Sequence, residues 1–303
     1  MRLEWEKAAE QADRLQEIRL RVNQPVTVLI DNQEWFLAKK GGLTEDVSYA
    51  AYSGEKELEA VLTHICHYSI YAFADEIRQG FITIQGGHRV GLAGQVIMED
   101  DGSIRNIKYI RYLNIRIAHE IRGVSDPFLA GLYDDEGELY NTLLISPPGC
   151  GKTTMLRDLV RNVSNGNAYG KGRNVSVVDE RSEIAGSYLG VAQNDVGIRT
   201  DVLDGCPKRE GMMMLIRAMA PQVLAVDELG GDSDIQALQM ASGCGCKLLA
   251  TVHGSSLKEI KQKKYICNVI LDRLFERYLV LTRKNGRCEV EGIYDGDGVR
   301  CLK

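Results

Sequence analysis

Ser146-Pro147-Pro148-Gly149-Cys150-Gly151-Lys152-Thr153 lies between two apolar runs of different period. Leu143-Leu144-Ile145 before it reads as a buried strand, and Met155, Leu156, Leu159 and Val160 after it share one helical face. A strand, a glycine-rich loop and a helix opening on Gly-Lys-Thr form the pattern of a phosphate-binding loop. In such a loop successive backbone N–H groups point at the phosphates, aided by the positive end of the helix. Gly149 and Gly151 permit the backbone angles and close approach this needs. Lys152 is expected to reach the β- and γ-phosphates and the Thr153 hydroxyl to coordinate Mg2+, with Ser146 through Thr154 lining ATP. The pattern's usual first glycine is replaced by Ser146, which fits if its backbone angles are ordinary; Pro147-Pro148 stiffen the turn.

Further apolar runs ending in polar groups follow. Val223-Leu224-Ala225-Val226 leads into Asp227-Glu228, a Walker B pattern. Asp227 is expected to hold Mg2+ through water, and Glu228 to orient or deprotonate the attacking water. Val175-Ser176-Val177-Val178 leads into Asp179-Glu180-Arg181-Ser182-Glu183, where Glu183 competes with Glu228 as base; the position of Glu228 matches the usual base. The strand from Lys247 to Thr251 leads to His253, and Thr251 and His253 are expected to sense the γ-phosphate. Ligands gather at strand C-termini in α/β sheets, which places all these groups at one edge. Strands alternating with helices after Asn141 predict an α/β domain with a mainly parallel sheet over residues 141–303.

Residues 1–122 read as a smaller α+β domain. Leu15, Ile18 and Val22 share a helical spacing before the strand-like Val26–Ile30, a helix is expected from Glu55 to about His67, and a short one over Ile70–Arg78. Phe81–Ile84 and Arg89–Ile97 flank Gly86-Gly87 as a hairpin, and Asn114–Ala118 alternates like a half-buried strand. Residues 123–140, with Pro127, Gly131 and the acidic Asp134-Asp135-Glu136, are expected to be an interdomain linker.

The formal net charge of -5 argues against a general nucleic-acid binder, although a local basic face stays compatible with it. No run approaches the ~20 apolar residues needed to cross a bilayer, and the charged start Met1–Lys7 lacks the apolar core of a signal peptide, so a cytosolic protein is expected. The eight cysteines are irregularly spaced and are expected to be free thiols rather than zinc ligands. Lys258, Lys261, Lys263 and Lys264 form a basic run, read either as a solvated helix face or as a contact for acidic lipid or nucleic acid.

The order of phosphate loop, acidic box at Asp179–Glu183, Walker B and histidine at His253 resembles the type II and type IV secretion ATPases, as does Leu215–Pro221 before Walker B. Val178–Gly186, Asp201–Lys208, Gly211–Arg217 and Gly86–Leu92 resemble a sporulation branch of that family. The resemblance implies a C-terminal RecA-like P-loop domain behind an α+β N-terminal domain. It also implies a homohexameric ATP-hydrolysing motor in the mother cell. There it would serve membrane-embedded channel proteins facing the forespore, at the cytosolic face. In such rings an arginine often completes a neighbour's site. The resemblance points to the N-terminal domain, so Arg89 and Arg116 lead, ahead of Arg111, Arg199, Arg209 and Arg217. Two rival readings are a nucleic-acid-stimulated ATPase and a scaffold that binds ATP to assemble but scarcely turns it over.

Overall fold

The computed structural model describes residues 12–263, 266–267, 270, 272–284 and 287–302. Two of the positions read above, the start Met1–Lys7 and Lys264, lie outside them. The chain divides into two compact units after His119.

The first unit is built on a seven-stranded antiparallel sheet. Its strands are β1 (Leu15–Arg21), β3 (Thr27–Ile30), β4 (Gln33–Leu37), β5 (Leu43–Thr44), β7 (Phe81–Ile84), β8 (His88–Met98) and β9 (Ile104–Arg116), ordered β5-β4-β3-β1-β9-β8-β7. A separate two-stranded pair joins β2 (Gln24–Pro25) to β6 (Tyr52–Ser53). Among the described residues its α-helices are α1 (Glu55–Ile65) and α2 (Ala74–Gln79), the latter entered through a 3-10 turn over Ile70–Phe73. Leu58, Leu62, Phe73 and Ile77 are buried in one cluster with Ile82, Val90 and Leu113.

The helical reading of Leu15, Ile18 and Val22 is corrected: Leu15–Arg21 is β1, and Val22 opens the turn after it. Ile18, Leu20 and Val22 alternate with Glu17, Arg19 and Arg21, a period of two that lay in the sequence. Pairing on both sides, Ile18↔Val28 and Ile18↔Ile115, gives the backbone its partners and puts Ile18, Leu20 and Val22 against the core.

The second unit contains an eight-stranded sheet. It runs through β10 (Thr142–Ser146), α3 (Lys152–Asn165), β11 (Val175–Asp179), β12 (Thr200–Asp204), α4 (Lys208–Met219), β13 (Val223–Val226), α5 (Asp232–Gly243), β14 (Lys247–His253) and α6 (Leu257–Ile260) to β15 (Arg277–Lys284), β16 (Arg287–Asp295) and β17 (Arg300–Leu302). The strand order is β12-β11-β13-β14-β10-β15-β16-β17; the first six are parallel and the last two antiparallel. The central strands are continuous apolar runs because both faces are covered. Alternate residues serve the two sides. Leu143, Ile145, Leu224 and Val226 join Met212, Leu215, Ile235 and Leu238 of α4 and α5. Leu144, Val223 and Ala225 join Met155, Leu156, Leu159, Val160 and Val163 of α3.

The segment 123–140 is part of this second unit rather than a free connector. It forms a 3-10 helix over Asp126–Leu132, and Leu129, Leu132, Tyr133 and Leu139 are buried with α3. Four apolar side chains close together outweigh the Gly, Pro and acidic residues that made the segment look like a linker.

Candidate nucleotide site

Strand β10 ends at Ser146, whose side chain is buried and whose hydroxyl donates to the Pro147 carbonyl at 2.9 Å. Ser146 is absent from the residues with positive φ, so serine needs no glycine-like backbone there. Gly149 and Gly151 have φ of 67° and 76°, the left-handed region where a side chain is strained. Pro147 and Pro148 lead into this bend, and Gly151 caps α3, which starts at Lys152 and continues through Thr153 and Thr154.

Lys152 is buried to 7% exposure, and its Nζ makes no hydrogen bond within the chain. It lies 3.5 Å from Asp227 Oδ1 and 3.7 Å from Glu228 Oε2. These two ion pairs, made without a hydrogen bond, leave the N–H donors of the buried ammonium available to phosphate oxygens. Thr153 Oγ1 donates to Asp227 Oδ2 at 2.6 Å, so the hydroxyl and carboxylate suited to one hard cation already touch. The donor set fits a nucleotide triphosphate with Mg2+.

Parallel pairing explains the convergence. β14 lies between β10 and β13, with Ser146 opposite His253 and Val226 opposite Ala250. Loop, Walker B acids and histidine therefore emerge from neighbouring strand ends. Thr251 is fully buried; its hydroxyl donates to Asp227 Oδ1 and accepts the Glu228 N–H at 2.8 Å. Thr251 thus holds the Asp227 carboxylate and the Glu228 backbone. Glu228 itself has φ of 50°, an uncommon value for a non-glycine residue. His253 Nε2 is 3.0 Å from Glu228 Oε1, and Arg181 Nη1 is 3.3 Å from Glu228 Oε2.

Asp179, the last residue of β11, is buried and accepts the N–H groups of Glu183 (2.8 Å), Ile184 (3.0 Å) and Ala185 (2.8 Å). Burial pushes its carboxyl up to about 6, against the pull of those three bonds. Asp179 therefore shapes the loop that carries Glu183. Glu183 is exposed and lines a small cleft with Asp179, Glu180, Arg181, Lys208, Asp227 and Glu228. Both base candidates thus face one cleft.

Three side chains here escaped the sequence reading as members of the site. Arg157 of α3 donates to the carbonyls of Ile184 (2.5 Å) and Glu183 (2.6 Å), Lys208 pairs with Glu180, and Arg181 reaches Glu228. Arg157 stands four residues after Thr153, one turn along the same helix, the spacing that could have flagged it.

Arg89 and Arg116 lie in the first unit, opposite each other on β8 and β9. Arg89 stacks over the Phe81 ring at 3.5 Å, and Arg116 Nε is 3.5 Å from Glu17 Oε1. Arg111 pairs with Glu55, and Arg199 donates to the Ser164 carbonyl at 2.9 Å. Arg209 and Arg217 line an open groove on α4.

The expectation that all cysteines are free is corrected. Cys150, in the phosphate loop, is bonded to Cys288 of β16, with 5.2 Å between their Cα atoms. A separation of 138 residues gave no spacing signal. The pairing of β15 with β16, Arg283 opposite Cys288, brings the second cysteine beside the loop. The remaining six are free thiols.

The family model for sporulation stage III, protein AA matches residues 1–301. The chain belongs to the sporulation stage III protein AA family. It is 41% identical over 284 residues to stage III sporulation protein AA of Bacillus subtilis (strain 168), covering 94% of this chain and 88% of that protein. Solved structures share its fold, two of them as follows. One is the Legionella pneumophila ATPase DotB, with TM-score 0.58 and 14% identity over 94% of this chain and 78% of that chain. The other is the pilus retraction motor PilT with bound ADP, with TM-score 0.60 and 13% identity over 94% and 80%. The fold is therefore that of DotB and PilT: a RecA-like P-loop domain with a mainly parallel sheet, preceded by a smaller α+β domain. Among the described residues no helix is long and apolar enough to cross a membrane.

Proposed function

We propose that this protein hydrolyses ATP and, as a homohexameric motor in the mother cell, drives a membrane-embedded channel toward the forespore from the cytosolic face. The observation that carries the ATPase reading is the buried Lys152 ammonium, ion-paired to Asp227 and Glu228 but without a hydrogen bond, beside a Thr153–Asp227 contact. Lys152 binds the β- and γ-phosphates, and the N–H groups of the loop from Gly149 to Thr153 orient them. Thr153 and Asp227 hold Mg2+, which when bound neutralises charge on the phosphate oxygens.

Glu228 takes the role of base. Its Oε1 contacts His253, its Oε2 contacts Arg181, and Thr251 fixes its backbone, so its carboxylate is oriented without substrate. Glu228 accepts a proton from water as the water oxygen attacks the γ-phosphorus, the bond from that phosphorus to the β–γ bridging oxygen breaks and ADP leaves, and His253 and Arg181 hold the carboxylate for that transfer. Glu183, on the loop shaped by Asp179 and Arg157, faces the same cleft and positions the water. The channel role rests on the family and on the fold shared with DotB and PilT.

The test is ATP turnover and particle mass of the full chain, with and without vesicles and nucleic acid. Lys152→Ala should abolish nucleotide binding. Glu228→Gln should retain it while lowering turnover by about 10²–10⁴-fold, the range for loss of a general base. Stimulation by nucleic acid alone would overturn the motor reading in favour of a nucleic-acid-dependent ATPase. Assembly with ATP and unchanged function in Glu228→Gln would make the protein a scaffold.

A further inference from the structure

Cys150 is the residue between the two glycines that bend the phosphate loop, and it is buried. Its partner Cys288 is exposed on β16. The two backbones are separated by a distance at which a disulfide closes and opens without chain movement, 5.2 Å between Cα atoms. The thiol forms are also accommodated. The Cys150 sulfur lies 3.4 Å from the Thr282 carbonyl oxygen and the Cys288 sulfur 3.7 Å from the Gly149 carbonyl oxygen, so each S–H has an acceptor in place. Arg283, on the same hairpin, donates to the Gly149 carbonyl at 3.1 Å. The β15–β16 hairpin therefore grips the loop through one noncovalent contact, with the disulfide as a second, covalent one.

We propose that Cys150 and Cys288 form a reversible redox site that ties the phosphate loop to the β15–β16 hairpin and slows nucleotide turnover when bonded. Disulfides in a reducing compartment are usually transient and regulatory rather than structural, and a P-loop cysteine with an exposed partner fits that use. The oxidant is a low-molecular-weight disulfide, RSSR. The exposed Cys288 thiolate attacks one sulfur of RSSR, forming a mixed disulfide and releasing one thiolate, RS⁻. The Cys150 thiolate then attacks the Cys288 sulfur, closing the Cys150–Cys288 bond and expelling the second RS⁻. The two cysteines lose two protons and two electrons, and RSSR gains them as two RSH. A thiol in excess reverses both steps. In the bonded form the loop backbone at Gly149–Gly151 is tied to β16, so it cannot relax between nucleotide-bound and released states, and product leaves more slowly.

This regulation rests on the ATPase reading above, and the test separates the two. The full chain is equilibrated in mixtures of reduced and oxidised glutathione. Unreacted thiols are alkylated, and the 150–288 cross-linked peptide is quantified by non-reducing mass spectrometry. ATP turnover and affinity for a fluorescent ADP are measured on the same samples. The cross-link should rise with the oxidised fraction while turnover falls roughly fivefold or more, the lower end of coupling between sites. Dithiothreitol should reverse both changes. Cys288→Ser and Cys288→Ala, which leave the phosphate loop intact, should show no redox response. The proposal is overturned by absence of the cross-link, by a cross-link that leaves both turnover and ADP affinity unchanged, or by an equal response in both variants. A cross-link that alters ADP affinity in a protein without turnover in either state would sustain the redox site and remove the ATPase reading. Absence of ADP and ATP binding in the reduced protein would end both.

Discussion

Thr251 has one hydroxyl and two tasks: it donates to Asp227 and accepts from the Glu228 backbone. Valine matches its shape and removes both contacts. Thr251→Val should therefore lower turnover by roughly 10–100-fold, the usual cost of losing a group that orients a metal-site ligand. Thr251→Ser should recover most of that loss, and steady-state kinetics with an ADP-binding control would distinguish this from unfolding. Asp179 makes a pH prediction. Its carboxyl is raised in the folded protein from 3.8 to about 6, so the folded chain holds the proton more tightly than the unfolded one. The stability from this group is full below the lower value and is lost as pH rises through the upper one. Urea midpoints of the parent protein relative to Asp179→Asn should fall between those two values and stay level above them. Lys152, Thr153, Asp227, Glu228, Glu183 and His253 were readable from the sequence because each follows a recognisable strand end. The two hydrogen bonds of Thr251, one to the Asp227 carboxylate and one from the Glu228 N–H, were not, because they depend on β14 lying beside β13.

Helix α3 joins the site to the segment expected to be a linker. Asp158 on α3 is buried and accepts the N–H groups of Gly123 (3.0 Å) and Ser125 (2.9 Å), the Ser125 hydroxyl (2.7 Å) and Arg161 (2.8 Å). These bonds hold its carboxyl below its usual value despite burial. Asp158→Ala leaves several buried donors without an acceptor and should cost about 3 kcal/mol or more, read from chemical denaturation. Leu156→Ala, on the apolar face of the same helix, should cost about 2–5 kcal/mol by leaving a cavity. The apolar face of α3 was legible at Met155, Leu156, Leu159 and Val160. The partner of Asp158 was not, since Gly123 and Ser125 lie more than thirty residues away in a stretch whose composition suggests a connector. β1 failed differently: its alternation was present, but a coincident three-residue spacing of Leu15 and Ile18 masked it.

Each of the two units has its own buried core, one around Leu20, Val90 and Leu113 and the other on both faces of the parallel sheet. The second unit contains every side chain placed here around the phosphate loop. A fragment spanning 120–303 should therefore unfold cooperatively and bind ADP, as checked by denaturation and by fluorescent-nucleotide titration. Binding lost in a folded fragment would mean that the first unit supplies part of the site. Under the hexamer reading Arg116 offers the matching test at the level of assembly. Arg116→Ala in the full chain should bind ADP normally and lose turnover, and mixing it with Glu228→Gln protein should restore some activity if the arginine acts on a neighbour.

By itself the sequence determined the chemistry on offer: a loop whose glycines, lysine and threonine suit phosphate and a hard cation, strands ending in acids, and the α/β rhythm that carries them. These signals are local, set by backbone angles, side-chain type and periodicity within a few residues. The tertiary structure decided what depends on residues far apart in the chain. It packed 123–140 against α3, set Thr251 between Asp227 and Glu228, gathered Glu183 and Glu228 into one cleft, and bonded Cys288 to the loop. Strand order and register make those meetings, and neither is written in the spacing of any single segment.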